Sequence, residues 1–208
     1  MTDSRNYWEN YYRQNPDPSG ESPFARFVSG FLSAEDKMYE LGCGNGRDSV
    51  FFGRLGVEII GFDQCEGELR YLNTQNKLRN IRFEAADFTR LGVKPRVNKI
   101  YSRFTLHSVS EEKEKDTLNW CFGHLEDKGL LFIEIRSVLD ELCGKGDKVG
   151  DNEYFTTHYR RFVVFADFVQ RIEEAGFSIL YKIESKGLAR YGSDDPVVIR
   201  VVAQRASN

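Results

Sequence analysis

Cysteine is sparse and scattered. The four residues, Cys43, Cys65, Cys121 and Cys143, form no CxxC pair. That spacing excludes a disulfide framework and a cysteine-rich zinc site, so all four read as free thiols. The three histidines, His107, His124 and His158, offer no i,i+4 pair on one helix, and no metal is expected. No apolar run approaches the roughly 20 residues that a membrane span requires. The start, Met1 to Trp8, lacks the basic-then-apolar order of a signal peptide. A cytoplasmic protein with no membrane partner is the expectation. Positive charge is not in surplus: 29 Lys and Arg stand against 32 Asp and Glu, a net charge of −3. Such a chain has no overall attraction for nucleic acid.

What is present is an ordinary globular balance. With 208 residues, 40% of them hydrophobic and 29% charged, the chain can bury one sizeable core, and a single domain is expected. Tyr7, Trp8, Tyr11 and Tyr12 fall at helical spacing within Asn6–Arg13. Asn15-Pro16-Asp17-Pro18-Ser19-Gly20 breaks the chain. Ser22-Pro23 then opens a second short helix, with serine as N-cap and proline at the first helical position. From Lys37 onward strands alternate with helices. Strands are predicted at 38–41, 57–62, 81–85, 99–102 and 130–135, with helices after the glycine turn and at 67–77 and 110–125. That alternation predicts βαβ units and a mostly parallel sheet. The end differs. A helix at 165–175, capped by Gly176, leads into β-rich runs 177–183 and 197–203 with no helix between them, an antiparallel closing pair. The stretch 137–159 is too long for a structureless connection without a role.

The strongest local pattern is Glu40-Leu41-Gly42-Cys43-Gly44-Asn45-Gly46-Arg47-Asp48, a strand feeding a glycine turn that opens a helix. Glycines permit a sharp turn and close approach of a ligand to the backbone. A dinucleotide site would carry GxGxxG. Here the spacing is GxGxG, Arg47 stands at the third dinucleotide glycine, and Glu40 precedes the first by two residues. A carboxylate there repels pyrophosphate and suits a cationic ligand. Asp63 ends the second strand, placed for a ribose diol, and Asp87-Phe88 follow the third, where an acid and a ring meet an adenine.

MYELGCGNGRDSVFFGRLGVEIIGFD, then EAADF, then the antiparallel tail resemble the class I S-adenosylmethionine (SAM) dependent methyltransferases, over about 37–204. The resemblance implies a Rossmann-like α/β fold with seven strands in the order 3-2-1-4-5-7-6, strand 7 antiparallel. It implies SAM as cofactor and S-adenosylhomocysteine as product. By position, Glu40, Gly42, Gly44 and Gly46 would line the methionine end, Asp63 the ribose, and Gln64, Asp87 and Phe88 the adenine, with Cys43 and Ser102 also among the cofactor-binding residues. It also implies an N-terminal helical lid, 1–34, whose Tyr11 and Tyr12 face the substrate, and makes 137–159 a substrate-side insertion.

The acceptor is read from the strand ends, since the site of such a sheet lies beyond their carboxyl termini. Arg103 and His107 follow strand four and Arg136 ends strand five. Thr157-His158-Tyr159-Arg160-Arg161-Phe162 closes the insertion, and Arg190-Tyr191 lies in the tail loop. Recurrent arginines suit a planar or phosphate-like oxyanion, because guanidinium binds it bidentately. His107, Arg103, Arg136, His158, Tyr159 and Arg160 are the catalytic candidates. Arg103, Arg136, Arg161, Arg190, Tyr191, Tyr11 and Tyr12 are candidates for substrate binding. Each has a structural alternative: Arg136 could pair with Glu134 or Asp140, and only one of Arg160 and Arg161 is expected to face the site. The Asn/Asp-Pro-Pro-Tyr motif of nucleic-acid amino-methyltransferases is absent. SRFTLHS, HYRRF and DPVVIRVVA resemble small methyltransferases found with bacterial surface-polysaccharide genes, some acting on phosphoramidates, and tellurite-resistance-type methyltransferases. A small-molecule carboxylate, phosphate, phosphonate or phosphoramidate acceptor is therefore expected, for a monomer or homodimer. The rivals are an NAD(P) oxidoreductase and a SAM-binding regulator without turnover.

Overall fold

A computed structural model describes residues 5–14 and 20–207. Helix α1 spans Arg5–Gln14 and α2 spans Pro23–Ser29. The predicted break at 15–19 lies outside the described residues. Ser22 caps α2 as expected, its hydroxyl accepting from Ala25 N at 3.0 Å, with Pro23 opening the helix. The chain then runs through β1 Lys37–Leu41, α3 Arg47–Arg54, β2 Glu58–Asp63, α4 Glu66–Gln75, β3 Ile81–Ala85, β4 Val97–Arg103, α5 Glu111–His124 and β5 Leu125–Arg136. Short 3-10 turns follow β3 at Phe88–Arg90 and β4 at Leu106–Ser108. The segment after β5 folds into its own three-stranded antiparallel sheet, β6 Asp147–Gly150, β7 Glu153–Phe155 and β8 Tyr159–Arg161. Helix α6 Phe165–Glu174 and strands β9 Phe177–Ser185 and β10 Val198–Arg205 complete the chain.

The main sheet has the order β3-β2-β1-β4-β5-β10-β9, with β10 antiparallel to both neighbours. This is the seven-stranded order expected from the sequence. The strands are buried on both faces because successive side chains point to opposite sides. Tyr39, Ile100, Ile133 and Val201 pack against α5 and α6 through Leu118, Phe168 and Ile172. Met38, Tyr101, Phe132 and Val202 pack against α2, α3 and α4 through Phe24, Phe52 and Leu69. The connections reverse direction between β1 and β4, so the loops leaving their carboxyl ends diverge and open a crevice. All four cysteines are free thiols. Among the described residues no helix is long and apolar enough to cross a membrane.

Candidate functional site

The crevice at the strand tips is a cavity of about 1240 Å³. Its first half is built on the glycine turn. Gly42, Gly44 and Gly46 all have positive φ, at 70°, 55° and 71°. At Gly42 a Cβ would stand 2.2 Å from the Thr105 methyl, and at Gly44 2.5 Å from the Tyr12 hydroxyl. Only glycine lets β1 leave the sheet this close to the loop after β4 and to α1. The turn is pinned by its neighbour: Gly42 N and Cys43 N both donate to the carbonyl of Phe62, at 2.8 and 3.0 Å. Asp63, at the tip of β2, accepts from Gly44 N at 2.9 Å and from Cys65 N at 3.0 Å.

Beneath the turn lie two buried carboxylates. Glu40 accepts from the Ser49 hydroxyl. Asp48 accepts from Ser22 N, the Ser22 hydroxyl and the Tyr101 hydroxyl at 2.8, 2.7 and 2.7 Å. Its one ion-pair partner among the described residues is Arg47, at 3.5 Å. Burial and the nearby Asp48 charge push the Glu40 carboxyl up to about 8. A carboxyl so placed is stabilised in its charged form by a cation brought into the cavity. Asp87 caps the turn after β3 by accepting from Thr89 N and Oγ1 at 2.9 and 2.7 Å, and with Phe88 and Gln64 it lines the far end. Tyr12 reaches in from α1, and burial with the Asp63 charge holds its phenol well above the usual range.

The second half is built by β4, β5, the insertion and the β9–β10 loop. Arg103 and Arg136 are on the wall with Tyr159 and Tyr191. Arg103 donates from Nε to Glu134 at 2.9 Å, and its guanidinium lies 4.3 Å from the Phe104 ring centre. Its two terminal nitrogens make no hydrogen bond among the described residues. Arg136 differs. Its terminal nitrogens donate to Asp140 at 2.9 Å and to Asp194 at 2.7 Å. The Tyr159 hydroxyl is buried without a hydrogen-bond partner among the described residues.

Of the residues predicted for the site, the structure brings to the wall Tyr11, Tyr12, Glu40, Gly42, Cys43, Gly44, Asp63, Gln64, Asp87, Phe88, Arg103, Arg136, Tyr159 and Tyr191. Gly46 sits one step behind, against Phe83 and Leu72. Ser102 is buried and hydrogen-bonds the Thr105 hydroxyl. His107 is buried behind the wall with Nδ1 unpartnered among the described residues, and burial with the Arg136 charge holds it well below the usual imidazole value. His158 stacks on Tyr7, ring centres 4.2 Å apart, and burial with Arg160 pushes its pKa down to about 4. Both rings are neutral at pH 7. Arg160 donates to Thr156 Oγ1 at 3.1 Å. Arg161 turns inward: it pairs with buried Glu114 and donates to the carbonyls of Val109 and Leu106 at 3.1 and 3.4 Å. Arg190 is exposed and paired with Asp195 at 3.2 Å.

Sequence reasoning passed over Trp8, Asp48, Thr105, Asp147, Glu153, Phe155 and Asp194, all on the wall. Asp48 was visible in principle, lying one helical step beyond the glycine turn. Asp147, Glu153 and Phe155 of the insertion carried no signal, because their strands are three or four residues long.

Comparison with known proteins agrees with this fold. Residues 38–129 match a family model described as a methyltransferase domain. A 50-residue stretch, 24% of this chain, is 32% identical to a probable S-adenosyl-L-methionine-dependent methyltransferase, TehB, of Haemophilus influenzae; the match spans 18% of that relative's length. A SAM-dependent methyltransferase from Methanosarcina mazei superposes with a TM-score of 0.76 at 15% identity, over 88% of this chain and 98% of that one. The Burkholderia thailandensis 1,6-didemethyltoxoflavin-N1-methyltransferase, solved with its substrate and S-adenosylhomocysteine, gives 0.75 at 15% identity, over 98% of this chain and 87% of that one.

Proposed function

We propose that this chain is a class I SAM-dependent methyltransferase that transfers the methyl group to a small acceptor bearing an oxyanion. Carboxylate, phosphate, phosphonate and phosphoramidate are the favoured acceptors, in bacterial surface-polysaccharide or secondary metabolism. The observation that carries the reading is Arg103, a cavity-wall guanidinium tethered at Nε, whose terminal nitrogens make no hydrogen bond among the described residues.

The residues present fit the cofactor. Two buried carboxylates with little compensating charge suit its cationic end, and a pyrophosphate would meet them unfavourably. The glycine turn leaves its backbone open to close approach, Asp63 stands at the β2 tip for a ribose diol, and Asp87 with Phe88 lies beyond. The cavity exceeds the roughly 300–1,000 Å³ of a single small-molecule site, which leaves room for an acceptor beside the cofactor. Bound SAM supplies a methyl group on a sulfonium, an activated electrophile. What the chain adds is position: Glu40 and Asp48 fix the cationic end, and Arg103 holds the acceptor oxyanion in line with the methyl. An oxyanion needs no general base, which agrees with His107 and His158 both standing off the cavity wall. Helices α1 and α2, within the predicted lid, cover the cofactor side and the insertion 137–159 closes the acceptor side, both excluding water. The protein works as a monomer or homodimer in the cytoplasm, without nucleic-acid or membrane partners.

A second reading has its own observation: Glu112, Asp147 and Glu153 also line the cavity, which would suit an amine. S-adenosylhomocysteine formation across matched acids and amines separates the two. Turnover of an acid that Arg103→Met slows at least tenfold in kcat/KM supports the oxyanion reading. Turnover confined to amines and indifferent to that substitution overturns it. SAM binding without turnover of any acceptor would favour a regulator.

A further inference from the structure

We propose that Glu134 and Arg200 are positioning residues that hold Arg103 with its terminal nitrogens toward the acceptor; the proposal rests on the oxyanion reading above. The three side chains come from adjacent strands in direct register. Arg103 of β4 lies opposite Glu134 of β5, which lies opposite Arg200 of β10. The Glu134 side chain is wholly buried, and each of its oxygens serves one arginine. Oε1 accepts from Arg103 Nε at 2.9 Å and Oε2 from Arg200 Nε at 2.6 Å.

That division of the carboxylate matters. A carboxylate facing a single arginine favours the two-bond fork, which engages a terminal nitrogen as well as another donor. Here Arg200 occupies the second oxygen, so Glu134 grips Arg103 at Nε alone. The Phe104 ring packs against the same guanidinium. The terminal nitrogens are thereby left for the cavity. Arg200 is fixed in turn, donating to the Leu188 carbonyl and lying 5.2 and 5.5 Å from the ring centres of Phe24 and Phe27. Arg136 has the opposite arrangement, with both terminal nitrogens engaged by Asp140 and Asp194. Neither Glu134 nor Arg200 is on the cavity wall, so their influence on the acceptor passes through Arg103.

The test titrates methylphosphonate into protein saturated with S-adenosylhomocysteine, followed by calorimetry. Arg200→Met frees Oε2 to draw in an Arg103 terminal nitrogen, and Glu134→Gln removes the charged tether. Both should weaken methylphosphonate binding about tenfold, with S-adenosylhomocysteine affinity held within about twofold. Arg200→Lys keeps a cation on Oε2 and should restore methylphosphonate binding to within about threefold of wild type. A purely structural role would instead lower both affinities together. Should Glu134→Gln fail to fold, Arg200→Met decides, since it leaves a neutral Arg103–Glu134 pair. Wild-type methylphosphonate binding in a folded Arg200→Met protein, with binding lost in Arg103→Met, overturns the positioning role alone. Binding that Arg103→Met leaves intact, or no binding by wild type, overturns the oxyanion reading and the proposal with it.

Discussion

Cofactor uptake should release a proton from Glu40. In the free protein this carboxyl is pushed up to about 8 by burial and by Asp48, so it is protonated at pH 7. A cationic ligand stabilises the charged form and returns the carboxyl toward its usual range. The sign follows: affinity is greatest above pH 8, where no proton must leave, and falls about tenfold per unit below it. With a value of about 8, the protonated share of Glu40 at pH 7 is about nine-tenths. Between pH 8 and pH 6 the binding constant should drop about 50-fold, roughly 2.3 kcal/mol. Other charges facing Glu40 are Asp48, Arg47 and Asp63. Calorimetry of SAM binding in buffers of different ionisation enthalpy counts the protons directly. The ligand's own amino group, near 7.7–8.0, contributes equally to wild type and Glu40→Gln, so their difference isolates the carboxyl. A pH dependence identical in the two proteins would refute the argument.

The same carboxyl destabilises the ligand-free fold at high pH. Its folded pKa lies above its unfolded one, so stability is full below about pH 4.5 and is lost as pH rises toward about 8. Glu40→Gln should remove that decline, and thermal melts of the ligand-free proteins at pH 5 and pH 8 would expose it. Gly42→Ala forces a left-handed backbone and a contact at 2.2 Å with the Thr105 methyl, and should cost about 2–4 kcal/mol in urea unfolding. Adding Thr105→Ser removes that methyl and should recover about half; no recovery would mean that backbone strain dominates. Glu114→Ala strands Arg161 and leaves Arg171 only its 3.5 Å pair with Glu111, since the two guanidinium groups share the fully buried Glu114 carboxylate. It should destabilise by about 3–5 kcal/mol, measurable by chemical denaturation, and a loss under 1 kcal/mol would show that water reaches the pair.

How much of this was legible in the sequence depends on the range of the interactions. The strands and helices were legible because strand periodicity, helix caps and turn residues act over a few residues; their order in the sheet came from the resemblance carried by the glycine turn and the antiparallel tail. The glycine turn with Glu40, Asp63 and Asp87 was legible for the same reason: each follows its own strand at a short fixed distance. The insertion was not, because its strands are held to each other and to the neighbouring loop across a turn-rich segment without strong alternation. Nor was the fate of individual arginines. Arg103, Arg136 and Arg161 all stand at strand ends and look equivalent in the chain. What separates them is the acid each one meets in space: Glu134, shared with Arg200; Asp140 with Asp194; and Glu114, shared with Arg171. Those partners lie 4 to 58 residues away in sequence. A buried guanidinium takes whichever carboxylate the fold supplies. An arginine therefore becomes a ligand anchor when its partners leave donors over, and that arithmetic exists only once the strands are side by side.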